Sequence, residues 1–227
     1  MLALLSATGG VFAQTPAPVP PAQPSIVTRG QATVTARPDR AYVTIAAESR
    51  SRNSAEAQKQ NAAAMSAVLQ KIEQAGVPKD AIRTVGYELQ PEFDYANGRQ
   101  TFRNYVARNT VEVRLDDIDR VGIVIDAAGS GGATTITGIR FDVRNRATLE
   151  RDALRLAVTD ARARADAAAA GAGATIDRVV RVEEEGIPVH PPMPMMRMAA
   201  AERDVSTPVA PSTIEIQSRV TLTVSLR

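Results

Sequence analysis

The sequence predicts an α+β fold: an antiparallel sheet of about seven strands with three helices packed on it. Three observations carry this expectation. Stretches along the chain alternate apolar and polar residues with the period of two of a half-buried strand. Longer stretches repeat small and apolar residues at helical spacing. Tight-turn signals such as Asn97-Gly98 join neighbouring strands, and tight turns imply antiparallel pairing.

The elements follow in order. Ile26, Thr28, Gly30, Ala32, Val34 and Ala36 line one side of a first strand, and Pro38-Asp39 turns the chain. Ala41, Val43, Ile45 and Ala47 form the inner face of a second strand. Asn53 or Ser54 can cap the next helix, and Glu56 suits the positive end of its dipole. Ala57, Asn61, Ala64, Val68, Ile72 and Ala75 repeat along that helix until Gly76 and Pro78 stop it. Val85, Tyr87, Leu89 and Phe93 mark a third strand, and Tyr105 to Leu115 the returning strand. Asp116 and Asp117 sit where a helix should begin, with Ile118, Val121, Ile125 and Ala128 on its apolar face. Gly129 to Gly132 ends it; a phosphate loop would instead join a strand to a helix and finish in Lys-Ser/Thr.

Ile139, Phe141 and Val143 mark a fifth strand. A long helix then runs from about Thr148 to Gly171. Its Ala153, Ala157, Ala161, Ala165 and Ala169 form a smooth ridge that permits close approach to a sheet. Its other face pairs Asp160 with Arg164 and Arg162 with Asp166, a solvated pattern. Ile176 to Val182 is the sixth strand. Ile214 to Leu226 is the last, lying either centrally or at a sheet edge.

Composition narrows the functional classes. The 227 residues include 27 basic and 25 acidic ones, a net charge of +2 with the signs interspersed. No basic stripe interleaved with aromatics appears, so nucleic acid is not an expected partner. The absence of cysteine excludes a disulfide framework, thiolate zinc sites and a cysteine nucleophile. Residues 1–13 are apolar and small, and Val11 and Ala13 fit a signal-peptidase site, which implies export to the periplasm with cleavage near Ala13. That run is shorter than the ~20 residues a membrane span requires, so no transmembrane segment is expected in the mature chain. Residues 14–25 are Pro-rich and read as an extended tether. A single domain over 26–227 follows, interrupted by a Pro/Met-rich loop at 184–211.

The ordered set Gly30 to Ala41 (GQATVTARPDRA), Asn61, Ile82 to Phe93 (IRTVGYELQPEF), Tyr105 to Val113 (YVARNTVEV), Ile136 to Phe141 (ITGIRF) and the alanine ladder resembles the SIMPL-domain family. The resemblance covers nearly everything from Ile26 to Arg227. It implies an exported envelope protein with an antiparallel sheet and packed helices. It also implies a tendency toward ring-like or channel-like oligomers, and a link to oxidative-stress tolerance. It supplies no catalytic residues.

The chemistry on offer is sparse. There is no G-x-S-x-G and no H-E-x-x-H, so no enzyme and no cofactor are expected. The sole histidine, His190, lies near Met193, Met195 and Met198, and these soft ligands would suit Cu(I) in an exported protein. The same methionines equally suit an adaptable packing surface. Asp116, Asp117 and Asp119 read as helix-start carboxylates and not as metal ligands. Tyr87, Phe93, Tyr95, Phe102 and Tyr105 gather five of the eight aromatics on one hairpin, either as sheet packing or as an interface with another subunit. The leading expectation is a non-enzymatic, self-assembling envelope scaffold. The alternative is a metal- or small-ligand-binding module built on the His190–Met198 loop.

Overall fold

Residues 24–186 and 211–227 are described by the structure, a computed structural model. Seven strands and three helices run in the order β1 (Ser25–Ala36), β2 (Arg40–Ser51), α1 (Ser54–Gln74), β3 (Ile82–Ala96), β4 (Arg99–Leu115), α2 (Val121–Ser130), β5 (Thr135–Asp142), α3 (Arg146–Gly171), β6 (Ile176–Glu185) and β7 (Ile214–Leu226). All pairing is antiparallel, so the α+β class holds. The strands form two sheets instead of the one the sequence suggests: a four-stranded sheet in the order β3-β4-β2-β5 and a three-stranded sheet in the order β1-β7-β6. β7 is therefore a central strand, and the edges are β1, β6, β3 and β5.

Each sheet has its own helical cover. α1 packs on β2 and β4 and meets α2. Ala41, Val43, Ile45, Ala47, Val111 and Val113 on the strands meet Met65, Val68 and Ile72 of α1 and Val121 and Val124 of α2 in the main core. Asn53 caps α1, its Oδ1 accepting the Glu56 N–H at 3.1 Å. Gly76 follows the helix with φ of 85°, a conformation that glycine adopts without strain. The Arg120 guanidinium donates to the Ala75 and Gly76 carbonyls, placing positive charge at the helix's negative end. Asp117 caps a 3-10 turn, Ile118–Arg120, that leads into α2. At the far end of α2, Gly131 lies against the α1 backbone; a Cβ there would meet Val68 Cα at 2.8 Å.

One buried polar side chain ties α1 to its sheet. Asn61 has no solvent exposure, and its Nδ2 donates to the Ala47 carbonyl at 2.7 Å and the Ala107 carbonyl at 3.0 Å. The two acceptors belong to β2 and β4, so a single amide bridges both central strands.

α3 covers β1 and β7. The expected alanine ridge is the packing face: Ala153, Ala157, Ala161, Ala165 and Ala169 are all buried. Opposite them stand Val220, Leu222 and Val224 of β7. The approach is closest at Gly30 of β1, where a Cβ would fall 2.1 Å from the Ala157 carbonyl oxygen and 2.3 Å from the Ala161 amide. Beside this contact, Thr28 Oγ1 donates to the Ala161 carbonyl at 2.8 Å. Asp160 of α3 accepts the Gln31 N–H at 3.0 Å, occupying part of the free edge of β1.

Candidate functional site: an aromatic hairpin

β3 and β4 form the longest hairpin of the fold. Its turn places Asn97 at φ 51° and Gly98 at φ 74°. Two successive positive φ values give the tight turn whose twist matches that of antiparallel strands. β2 ends at Ser51, opposite Tyr105. The pairs from Glu92–Asn104 to Ala96–Arg99 therefore continue past the last β2 pairing, and the hairpin projects from the sheet.

Register decides which side the rings occupy. Ile82 opposite Val113 and Thr84 opposite Val111 lie on the α1 side of the sheet. The pairing shifts at Val85 and again at Arg103, each adding one residue on one strand. The first shift sets Tyr87 opposite Asn109 and Leu89 opposite Ala107; the second sets Phe93 opposite Phe102. Directly opposed residues share a face, so Tyr87, Leu89, Phe93, Phe102 and Tyr105 extend the core-facing side of the sheet outward. Phe93 and Phe102 meet edge to face at 6.1 Å, and Phe102 and Tyr105 are tilted at 5.1 Å. Such pairs contribute about 0.5–1.5 kcal/mol beyond burial, enough to stiffen the tip but not to bury it.

Of the five aromatics named from the sequence, the structure links three in a row, with Phe102 touching both Phe93 and Tyr105. Tyr95, at the tip, is 77% exposed, and Tyr87, nearer the base, is half exposed. Neither stacks on another ring among the described residues. Val85 and Leu89 join this exposed apolar set without having been singled out as interface residues. Their signal lies in the β3 pattern, where apolar residues continue past the point at which α1 can cover them. The four candidate copper ligands, His190, Met193, Met195 and Met198, lie outside the described residues, as do residues 1–23 with the expected signal peptide and most of the tether. Among the described residues no group of three His, Asp or Glu side chains could hold a metal ion, and no helix is long and apolar enough to cross a membrane.

The outer side of the same sheet is charged. Glu48 of β2 accepts from Arg108 of β4 at 2.9 Å and pairs with Arg50, which also approaches Glu92 at 3.5 Å. The hydrogen bond to Glu48 is the main reason the Arg108 guanidinium holds its proton more tightly than usual. At the sheet end, Arg40 Nε donates to Asp116 at 2.6 Å. That bond holds the Asp116 carboxyl below the usual range. The hairpin therefore has one apolar aromatic side and one side laced with ion pairs.

Residues 26–224 match the model of a protein family described as SIMPL, protein of unknown function (DUF541). The chain belongs to the SIMPL family. This SIMPL protein is similar to the uncharacterized protein YggE of Escherichia coli K12, with 29% identity over 201 residues, 88% of this chain and 80% of that one. It is similar to the 26 kDa periplasmic immunogenic protein of Brucella abortus, 28% identical over 197 residues, 82% of this chain and 78% of the relative. The Edwardsiella ictaluri YggE is 27% identical over 218 residues, 96% of the SIMPL chain and 91% of its own. None of these names is that of an enzyme.

Proposed function

We propose that this SIMPL protein is an exported periplasmic protein that acts without bond-making chemistry, by assembling with copies of itself into an envelope scaffold. The observation that carries the reading is the hairpin: an apolar face with Phe93, Phe102 and Tyr95 exposed, projecting beyond β2 and the α1 helix that covers the rest of that face. Aromatic side chains are enriched where proteins meet. β3 is also an edge strand, so backbone donors and acceptors run beside the rings and can pair with a second chain. The periplasmic location is supported by the name of the Brucella relative and by the apolar segment at residues 1–13. A role in stress tolerance rests on the family resemblance alone.

The test is a native mass measurement on the chain purified from the periplasm, beside a Phe102→Ser/Tyr95→Ser variant. A defined oligomer for the wild type and a lower order for the variant are expected. A monomeric wild type, or a variant of unchanged mass, would reject the reading.

A further inference from the structure

A second feature lies on the charged side of the four-stranded sheet, away from the aromatic face. A cavity of about 210 Å³ opens there, lined by Tyr42, Asp80, Arg83, Glu112, Arg114 and Arg140. All four strands contribute: Tyr42 from β2, Arg83 from β3, Glu112 and Arg114 from β4, and Arg140 from β5. Register places them together, because Tyr42 lies opposite both Arg114 and Arg140, and Arg83 lies opposite Glu112.

The partners of the three guanidiniums are unequal. Arg83 is bound to Glu112, Nη2 to Oε1 at 2.8 Å. Arg140 donates to Asp142 at 3.3 Å, lies 4.0 Å above the Tyr42 ring, which orients its plane, and stands 3.9 Å from the other Glu112 oxygen. Arg114 comes no closer than 3.7 Å to Asp80 and 3.9 Å to Asp116. Its Nε is buried, with no hydrogen-bond partner among the described residues. That Nε is closed to solvent and so to a ligand; what Arg114 offers the cavity is its terminal nitrogens, which among the described residues are held by nothing closer than the 3.7 Å pair with Asp80. Asp80 cannot neutralise Arg114 effectively, because the Asp80 side chain is 79% exposed and solvent screens the pair. What the cavity lacks is a compact anion with several acceptor oxygens, reachable by guanidiniums from different strands. A tetrahedral phosphate meets that description better than a carboxylate, which offers two oxygens in one plane.

We propose that Arg83, Arg114 and Arg140 form a binding site for a phosphate group, carried either by the free ion or by an anionic lipid headgroup. Glu112 positions Arg83 and at the same time opposes the anion, so it limits the affinity.

Titration calorimetry of the full chain with sodium phosphate, at ionic strength held constant with chloride, tests this. Saturable binding is expected. Arg114→Gln should weaken it by about tenfold or more, the scale of one lost charge-assisted contact. Arg162→Gln, on the outer face of α3, should leave it unchanged. Glu112→Gln should strengthen it, because one opposing charge is gone; a purely structural role for Glu112 would not produce that sign. If Arg114→Gln loses its circular dichroism signature, Arg140→Gln takes its place. Sedimentation with phosphatidic acid vesicles, against pure phosphatidylcholine, separates the two sources. Arg114-dependent sedimentation assigns the headgroup, and phosphate binding without sedimentation assigns the free ion. Absence of both, equal weakening by Arg114→Gln and Arg162→Gln, or weaker binding by Glu112→Gln would overturn the proposal.

Discussion

Single residues explain how this fold holds together at its least tolerant points. Asn61 is polar, fully buried and spaced like a core position of α1. The spacing was legible in the sequence, but the job was not, because the two carbonyls it serves come from strands 14 and 46 residues away. Asn61→Leu should keep the volume and lose the donor, destabilising by roughly 1–3 kcal/mol, the range for leaving a buried polar group unsatisfied; urea unfolding would read it. Two carboxylates set the acid limb of stability. Asp116 is held down by the Arg40 hydrogen bond, and Asp160 first by the Gln31 N–H and then by Arg164. A depressed carboxyl contributes fully above its ordinary value of about 4 and loses its contribution as pH falls through the lower folded value. The melting temperature should therefore be flat above about pH 5 and fall below it. An Asp116→Asn/Asp160→Asn variant should show a shallower fall, and an identical profile would dismiss both groups.

At the scale of elements, the sequence was clearest where one pattern met one partner. The alanine ridge of α3 was readable because five small residues at a spacing of four have no better use than close packing. The Asn97-Gly98 turn was readable because the two positive φ angles favour those residues. What escaped was the phase of the hairpin. The shifts at Val85 and Arg103 each reset the alternation, and an extra residue looks like any other when only one strand of a pair is read. The aromatic face was anticipated as a set of residues, but its three-ring contact depends on the second shift. Gly30 belongs to this scale too, since its missing side chain lets a whole helix sit on β1. Gly30→Ala would press a Cβ into the α3 backbone, a strain of roughly 1–3 kcal/mol or more.

For the whole molecule, the division into two sheets could not be read from strand patterns, because alternation reports that a strand is half buried but not which neighbour it has. The division is visible in packing: α1 and α2 serve one sheet and α3 the other. The strain at Gly30 should therefore stay local. Native-state hydrogen exchange of Gly30→Ala should quicken in β1, β6, β7 and α3 and stay near wild type in β2, β4 and α1. Equal quickening in both halves would mean that they open as one unit.

The pairing of β7 with both β1 and β6 also sets an order of events. Ser25 pairs with Ser225, and among the described residues β6 has no other strand beside it. The four-stranded half has all its strands by Asp142, whereas the smaller sheet has no middle until Ile214 and beyond are available. During synthesis, or passage across a membrane, β1 therefore waits unpaired for almost the whole chain, and the last strand to arrive closes the fold.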